Sequence, residues 1–115
     1  MNNACIFCKI VSGEIQGTIV HRDNQSTAFR DINPAGPTHI LIVPNRHIES
    51  INDLENDDEQ LVGHLFTVAG QIAKAEGIDQ TGYRLIANTG PDGGQAVFHL
   101  HIHLIGGQPM RHPMG

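Results

Sequence analysis

The sequence predicts an α+β domain: an antiparallel sheet of about five strands, one long helix packed on it and a short N-terminal helix. Three stretches carry that expectation. Between Asp57 and Gly77, Leu61, Leu65, Val68 and Ile72, with Val62, Phe66 and Ala69, form one apolar stripe at helical spacing. Thr38 to Val43 is a β-branched, apolar run that reads as a buried strand stopped by Pro44. Val97 to Ile105 alternates in character and reads as the last strand, ended by Gly106 and Gly107.

The remaining elements follow in order. Asn2 to Ser12 places Ile6, Phe7, Ile10 and Val11 at helical spacing, and Gly13 fits the end of that helix. Thr18 to His21 and Ser26 to Phe29 read as two short strands joined by the polar turn Asp23-Asn24-Gln25. Asp31 to Pro37 is a loop by its proline and glycine punctuation. Asp57, Asp58 and Glu59 load the first turn of the long helix with negative charge, which suits the positive end of the helix dipole. Gly77 is a natural stop for it. Tyr83 to Asn88 reads as a strand and Thr89 to Gln95 as a glycine-rich loop.

The chain has 115 residues, and at roughly 150 residues per domain it is expected to form one domain over 1–115. Apolar residues make up 39% and charged residues 17%, a globular balance rather than a disordered one. The apolar run Ile40 to Val43 is far short of the ~20 residues a bilayer span requires, so no membrane association is expected. No basic segment followed by an apolar stretch opens the chain, which points to the cytoplasm. A formal charge of −5 argues against a non-specific nucleic-acid binder, which needs a basic face.

The chemistry concentrates at the end of the chain. Strand alternation puts His99, His101 and His103 on one face, neighbours about 6.5–7 Å apart, and Leu100, Ile102 and Leu104 on the other. Packing does not call for three imidazoles in register. One reading is a metal site, since histidine is a common zinc ligand. The other is an imidazole nucleophile directed at phosphorus. Hydrolytic zinc sites usually bring a carboxylate close by, and none adjoins this strand. Gly90, Gly93 and Gly94, just before the strand, free the backbone for an anion-binding nest, although such a loop also reads as a plain turn.

The segment His99-Leu100-His101-Ile102-His103-Leu104-Ile105 resembles the histidine-triad signature, in which three histidines alternate with apolar residues. Cys5 to Ile10, Ala28 to Ile32, Pro37 to Pro44, Gly82 to Arg84 and Asp92 to Gln95 are similar, in order, to the Hint branch of that family, the nucleotide-binding phosphoramidases. The resemblance implies a histidine-triad fold and hydrolysis of purine nucleoside phosphoramidates, AMP or GMP joined to an amine. It implies that His101 attacks the α-phosphorus to form a covalent nucleotidyl-histidine, with no cofactor required for catalysis. His103 and His39 then line the phosphate, and His99 is a buried supporting member. The nucleophile's other ring nitrogen should donate to a fixed acceptor, expected to be a backbone carbonyl. Asp31 would accept the ribose hydroxyls. Ile6, Phe7, Ile10, Ile15, Phe29, Ile32 and Leu41 would enclose the purine, positions that taken one by one read as core. Asn88, Gly94, Gln95 and Val97 would meet the phosphate through side chain or backbone. The sequence departs from relatives at Ala96, where many carry a polar residue that assists the leaving amine, and at His112, where some carry a tryptophan.

Cys5 and Cys8 form a Cys-x-x-Cys pair, half of a zinc site. The resemblance implies that His47 and His99 complete it as a closed, structural centre. Two free thiols and a redox pair are the alternatives, the last weakened because no strand precedes the motif. The family resemblance also implies a homodimer formed through the long helix and one strand. Two other functions compete: a non-catalytic module that binds purine mononucleotides or a protein partner, and a zinc hydrolase that uses the histidine triplet.

Overall fold

The structure, a computed structural model, describes residues 4–113. Five strands form one antiparallel sheet: β1 (Ile19–Arg22), β2 (Ser26–Arg30), β3 (Thr38–Pro44), β4 (Tyr83–Ile86) and β5 (Ile102–Gly106), in the order β1-β2-β3-β5-β4. Helix α1 (Ile6–Ser12) lies on one face and helix α2 (Glu59–Ala75) on the other. No helix among the described residues is long and apolar enough to cross a membrane.

Strand alternation decides which side chain meets which helix. Ile40 and Ile42 of β3, with Leu104 and Ile102 of β5, pack under Leu65, Val68, Ala69 and Ile72 of α2, all nearly or fully buried. The alternate residues Leu41 and Val43 face the other way, into a second cluster with Phe29 and with Phe7 and Ile10 of α1. Register places His103 opposite Leu41 and Ile105 opposite His39, so the histidines of β3 and β5 share the α1 face.

The local causes are specific. Helix α1 begins later than its periodicity suggested. Cys5 is its N-cap, the Sγ accepting from the Cys8 amide at 3.3 Å, and Asn2 and Asn3 lie outside the described residues. Gly13, at φ 85°, closes it. A capping box between Glu55 and Asp58 leads through a 3-10 turn, Asn56–Asp58, into α2. Gly77, at φ 75°, ends that helix as the sequence suggested. Arg30 on β2 forms a two-pronged ion pair with Glu76 at α2's end, both bonds 2.9 Å. The β1–β2 turn is built on Asp23. Its Oδ1 accepts from the Gln25 and Ser26 amides, and its Oδ2 accepts from His21 at 2.6 Å, His64 of α2 at 2.8 Å and the Ser26 hydroxyl at 2.9 Å. Burial pushes its carboxyl up, but those bonds outweigh it and hold Asp23 well below the usual carboxylate range.

The last strand is shorter than its alternation implied. Pairing with β3 runs from Thr38–Gly106 to Ile42–Ile102 and stops, so residues 97–101 are irregular. Pro44 has no N–H to donate, and its carbonyl accepts from the His99 ring at 2.9 Å. The Leu100 amide turns instead to the Ile48 carbonyl at 2.6 Å. Strand β4 is also shorter than the sequence suggested, and ends at Ile86, whose partner His103 is one residue inside the end of β5. The three histidines therefore do not stand along one regular strand.

Candidate active site and metal centre

Only His103 of the triplet is in β5; His99 and His101 hang from the irregular approach to it. His101 is buried, with its ring against the edge of Phe7 (centroids 5.1 Å apart) and 4.9 Å from the His103 ring. Its Nδ1 lies 2.7 Å from the His99 carbonyl oxygen. A carbonyl can only accept, so Nδ1 carries the proton and Nε2 keeps its lone pair.

The same reasoning runs through the neighbouring rings. The Ala35 amide donates to His39 Nδ1 at 3.0 Å, so the His39 proton sits on Nε2. That N–H faces His103 Nδ1 at 2.9 Å, with an Asp31 oxygen at 3.5 Å. His103 is left with its own proton on Nε2. Burial, then the nearby His101 and His39, push the His103 pKa down to about 4, against the opposing pull of Asp31. Burial lowers His39 as well, opposed again by Asp31. Both rings are neutral at pH 7 and act as oriented N–H groups rather than as charges.

Asp31 stands at the end of β2, one oxygen accepting from the Asn33 amide at 2.8 Å. Phe7, Ile10, Phe29 and Leu41 are buried together in one cluster. Ile6 and Ile15 are partly exposed, and Ile32 is 91% exposed. Of the two readings of the glycine-rich loop, its own hydrogen bonds favour the plain turn. The Gly94 amide donates to the Pro91 carbonyl, the Gln95 amide to the Gly90 carbonyl, and the Gly90 amide to the Gln95 side chain at 2.9 Å. Those N–H groups already have partners. The side chain of Gln95 is also spent, since its Nε2 donates to the Glu49 carbonyl at 2.7 Å and to the Val97 carbonyl at 3.1 Å. Asn88 donates to the Gly93 carbonyl at 2.7 Å. Asn88 and Gln95 thus shape the loop. Val97 is half-buried against the Phe7 cluster. An open cleft of about 380 Å³ lies between the start of α1 and Ala96, Val97 and Phe98.

His99 is fully buried and stands apart from the other two. Its Nε2–H is fixed by the Pro44 carbonyl, so its Nδ1 lone pair points the other way. There it meets Cys5 Sγ at 3.3 Å, Cys8 Sγ at 3.5 Å and His47 Nδ1 at 3.2 Å, and Cys8 Sγ is 3.3 Å from His47 Nδ1. Tetrahedral coordination at zinc bond lengths sets ligand atoms about 3.3–3.8 Å apart, so this donor set fits a closed four-ligand centre. Burial, then the hydrogen bond and charge of Cys5, push the Cys8 thiol up to about 11, an environment a cation would reverse. Asp31, His39 and His103 also converge within reach of one ion. There the Ala35 amide keeps the proton on His39 Nε2, the atom that would have to bind.

The HIT domain, as a family, matches residues 12–110. The chain belongs to the HIT family. It is 52% identical over 110 residues to the purine nucleoside phosphoramidase of Escherichia coli strain K12, covering 96% of this chain and 92% of that one. Among solved structures, a HIT family hydrolase from Legionella pneumophila Philadelphia 1 superposes with a TM-score of 0.93 at 49% identity, over 96% and 99% of the two chains. A histidine triad protein from Clostridium difficile superposes at 0.95 with 45% identity, over 99% of each. Sequence reasoning on this HIT domain anticipated a backbone acceptor for the nucleophile but missed the Ala35 amide and the Pro44 carbonyl, which set the protons of His39 and His99 and leave no side-chain signature.

Proposed function

We propose that this HIT protein is a purine nucleoside phosphoramidase. The observation that carries the reading is His101, its proton held on Nδ1 by the His99 carbonyl and its Nε2 lone pair free. The 52% identical phosphoramidase supplies the substrate class.

In this mechanism His101 Nε2 attacks the α-phosphorus of a purine nucleoside 5′-phosphoramidate. The P–N bond to the amine breaks, the amine leaves with a proton, and nucleotidyl-His101 remains. Water then attacks the phosphorus, the bond to Nε2 breaks, and the nucleoside monophosphate is released. Two displacements replace one slow one, the usual gain from a covalent intermediate. Charge grows on the non-bridging oxygens, and the His103 Nε2–H, held in direction by His39, is a preorganised donor for them. Phe7, Ile10, Phe29 and Leu41, with the exposed Ile6, Ile15 and Ile32, would hold the purine, and Asp31 the ribose hydroxyls. Gly94 and Val97 would lie along the phosphate.

Zinc is the proposed ion for Cys5, Cys8, His47 and His99, with a structural role, since four protein ligands leave no open position. A homodimer fits the exposed edge strand β4 and the half-exposed Phe66 of α2. The cytoplasm fits the proposed substrate. The test is incubation with adenosine 5′-phosphoramidate, following AMP release and, by rapid quench and intact mass, an adduct of one nucleotidyl group. Nucleotide binding without turnover across a panel of purine phosphoramidates would instead establish a binding module.

A further inference from the structure

The carbonyl that fixes the His101 proton belongs to His99, and the His99 side chain belongs to the four-residue centre. One residue thus serves both sites, by backbone on one side and by ring on the other. Residues 97–101 lie outside the β ladder, so strand pairing does not hold that carbonyl in place. Its restraints are the Leu100 amide on Ile48, the Gln95 side chain on the Val97 carbonyl, and the His99 ring itself. The ring is held at Nε2 by Pro44 and at Nδ1 by the Cys and His cluster. Without a cation, Nδ1 finds chiefly thiols, which are weak donors. With one, all four ligand atoms are fixed about a single centre.

We propose that the metal-loaded Cys5–Cys8–His47–His99 centre is the positioning element for the nucleophile: it locks the His99 carbonyl where it holds the proton of His101 on Nδ1. Emptying the centre removes the hold on Nδ1 and leaves the His99 ring anchored through Pro44 alone, which loosens its carbonyl. His101 then distributes its proton over both nitrogens, and in one of those forms the atom that must attack carries the proton. Phe7 reinforces the coupling. It sits between the two cysteines in sequence, on the helix capped by Cys5, and its ring meets both His99 (6.0 Å) and His101 (5.1 Å). Phe29 and Leu41 of the purine floor lie on β2 and β3, and Asp31 directly follows β2, all outside the segment that carries His99, so nucleotide affinity should change little. The signature is a fall in kcat with KM nearly constant.

The proposal rests on the functional reading for its kinetic arm and is independent of it in its spectroscopic arm. The variants are His47→Ala, which removes a ligand that touches neither His101 nor its carbonyl, and His47→Cys, which restores a four-ligand Cys3His centre. Zinc content is measured by elemental analysis, and the His101 tautomer by long-range proton–nitrogen spectra of 15N-histidine-labelled protein. Loaded wild type and His47→Cys are expected to show one Nδ1–H form of His101 and similar kcat. His47→Ala is expected to lose zinc, to show mixed tautomers, and to lose about tenfold in kcat, about 1.4 kcal/mol, with AMP affinity within about twofold. Equal behaviour of the two variants overturns the proposal, as does a wild-type chain that takes up no zinc when Zn²⁺ is added. If loaded wild type turns over no phosphoramidate, the functional reading falls, and the tautomer comparison still decides the tether.

Discussion

Replacing His101 by asparagine tests the proposed chemistry most directly. Two magnitudes follow from the site. For stability, the amide nitrogen of the variant takes the place of Nδ1 and can still donate to the His99 carbonyl, so the main loss is the ring contact with Phe7, worth about 1 kcal/mol. A loss of about 1 kcal/mol leaves a folded protein and lowers Tm by roughly 4 °C for a chain of this size. For activity, removing a nucleophile costs about 10⁴-fold or more, which is at least about 5.4 kcal/mol at 1.36 kcal/mol per tenfold. The two losses differ enough to be read separately. The assay is AMP release from adenosine 5′-phosphoramidate at saturating substrate, with thermal unfolding on the same preparation and intact mass on quenched samples. No adduct should form in the variant. A folded His101→Asn protein that retains a tenth of the wild-type rate would refute the nucleophile assignment.

Two further outcomes follow from the charge states. His39, His99 and His103 are all held neutral below the usual histidine range, His103 down to about 4, so the unfolded chain binds more protons than the folded one at mildly acid pH. Stability should be full above about pH 6.5 and fall as pH drops toward 4, by up to about 1.4 kcal/mol per pH unit for each such ring; urea unfolding that gives equal stability at pH 7 and pH 5.5 would contradict this. Asp23→Asn keeps an acceptor for the Gln25 and Ser26 amides but loses the charged acceptor for His21 and His64, and should cost about 2 kcal/mol by denaturant unfolding. The stability Asp23 provides is present above about pH 4 and lost as pH falls through its depressed pKa, so the gap between wild type and variant should close only in strong acid.

Most of the fold was legible because its signals are periodic. The stripe Leu65-Val68-Ile72 fixes which face of α2 is buried, and the unbroken apolar run of β3 marks a strand buried on both faces, as it is in the structure. The glycine stops at 13 and 77 were legible because the left-handed backbone there favours glycine. Alternation misled at His99 and His101, since it is a property of a paired strand and the pairing ends at Ile102. The sequence left the glycine loop open between a nest and a plain turn, because it does not reveal that Gln95 occupies the loop's own Gly90 amide. The convergence of Cys5 and Cys8 with His47 and His99, from segments up to 94 residues apart, came from resemblance; spacing alone offered half a site.

Pro44 carries a consequence for any redesign of this sheet. A residue able to donate at that position would invite β3 and the approach to β5 to zip further. His99 and His101 would then be drawn into a flat, regular row with His103 on the α1 face instead of turning to separate tasks. Greater regularity would thus be gained at the expense of the chemistry, which depends on the abrupt end of a β ladder.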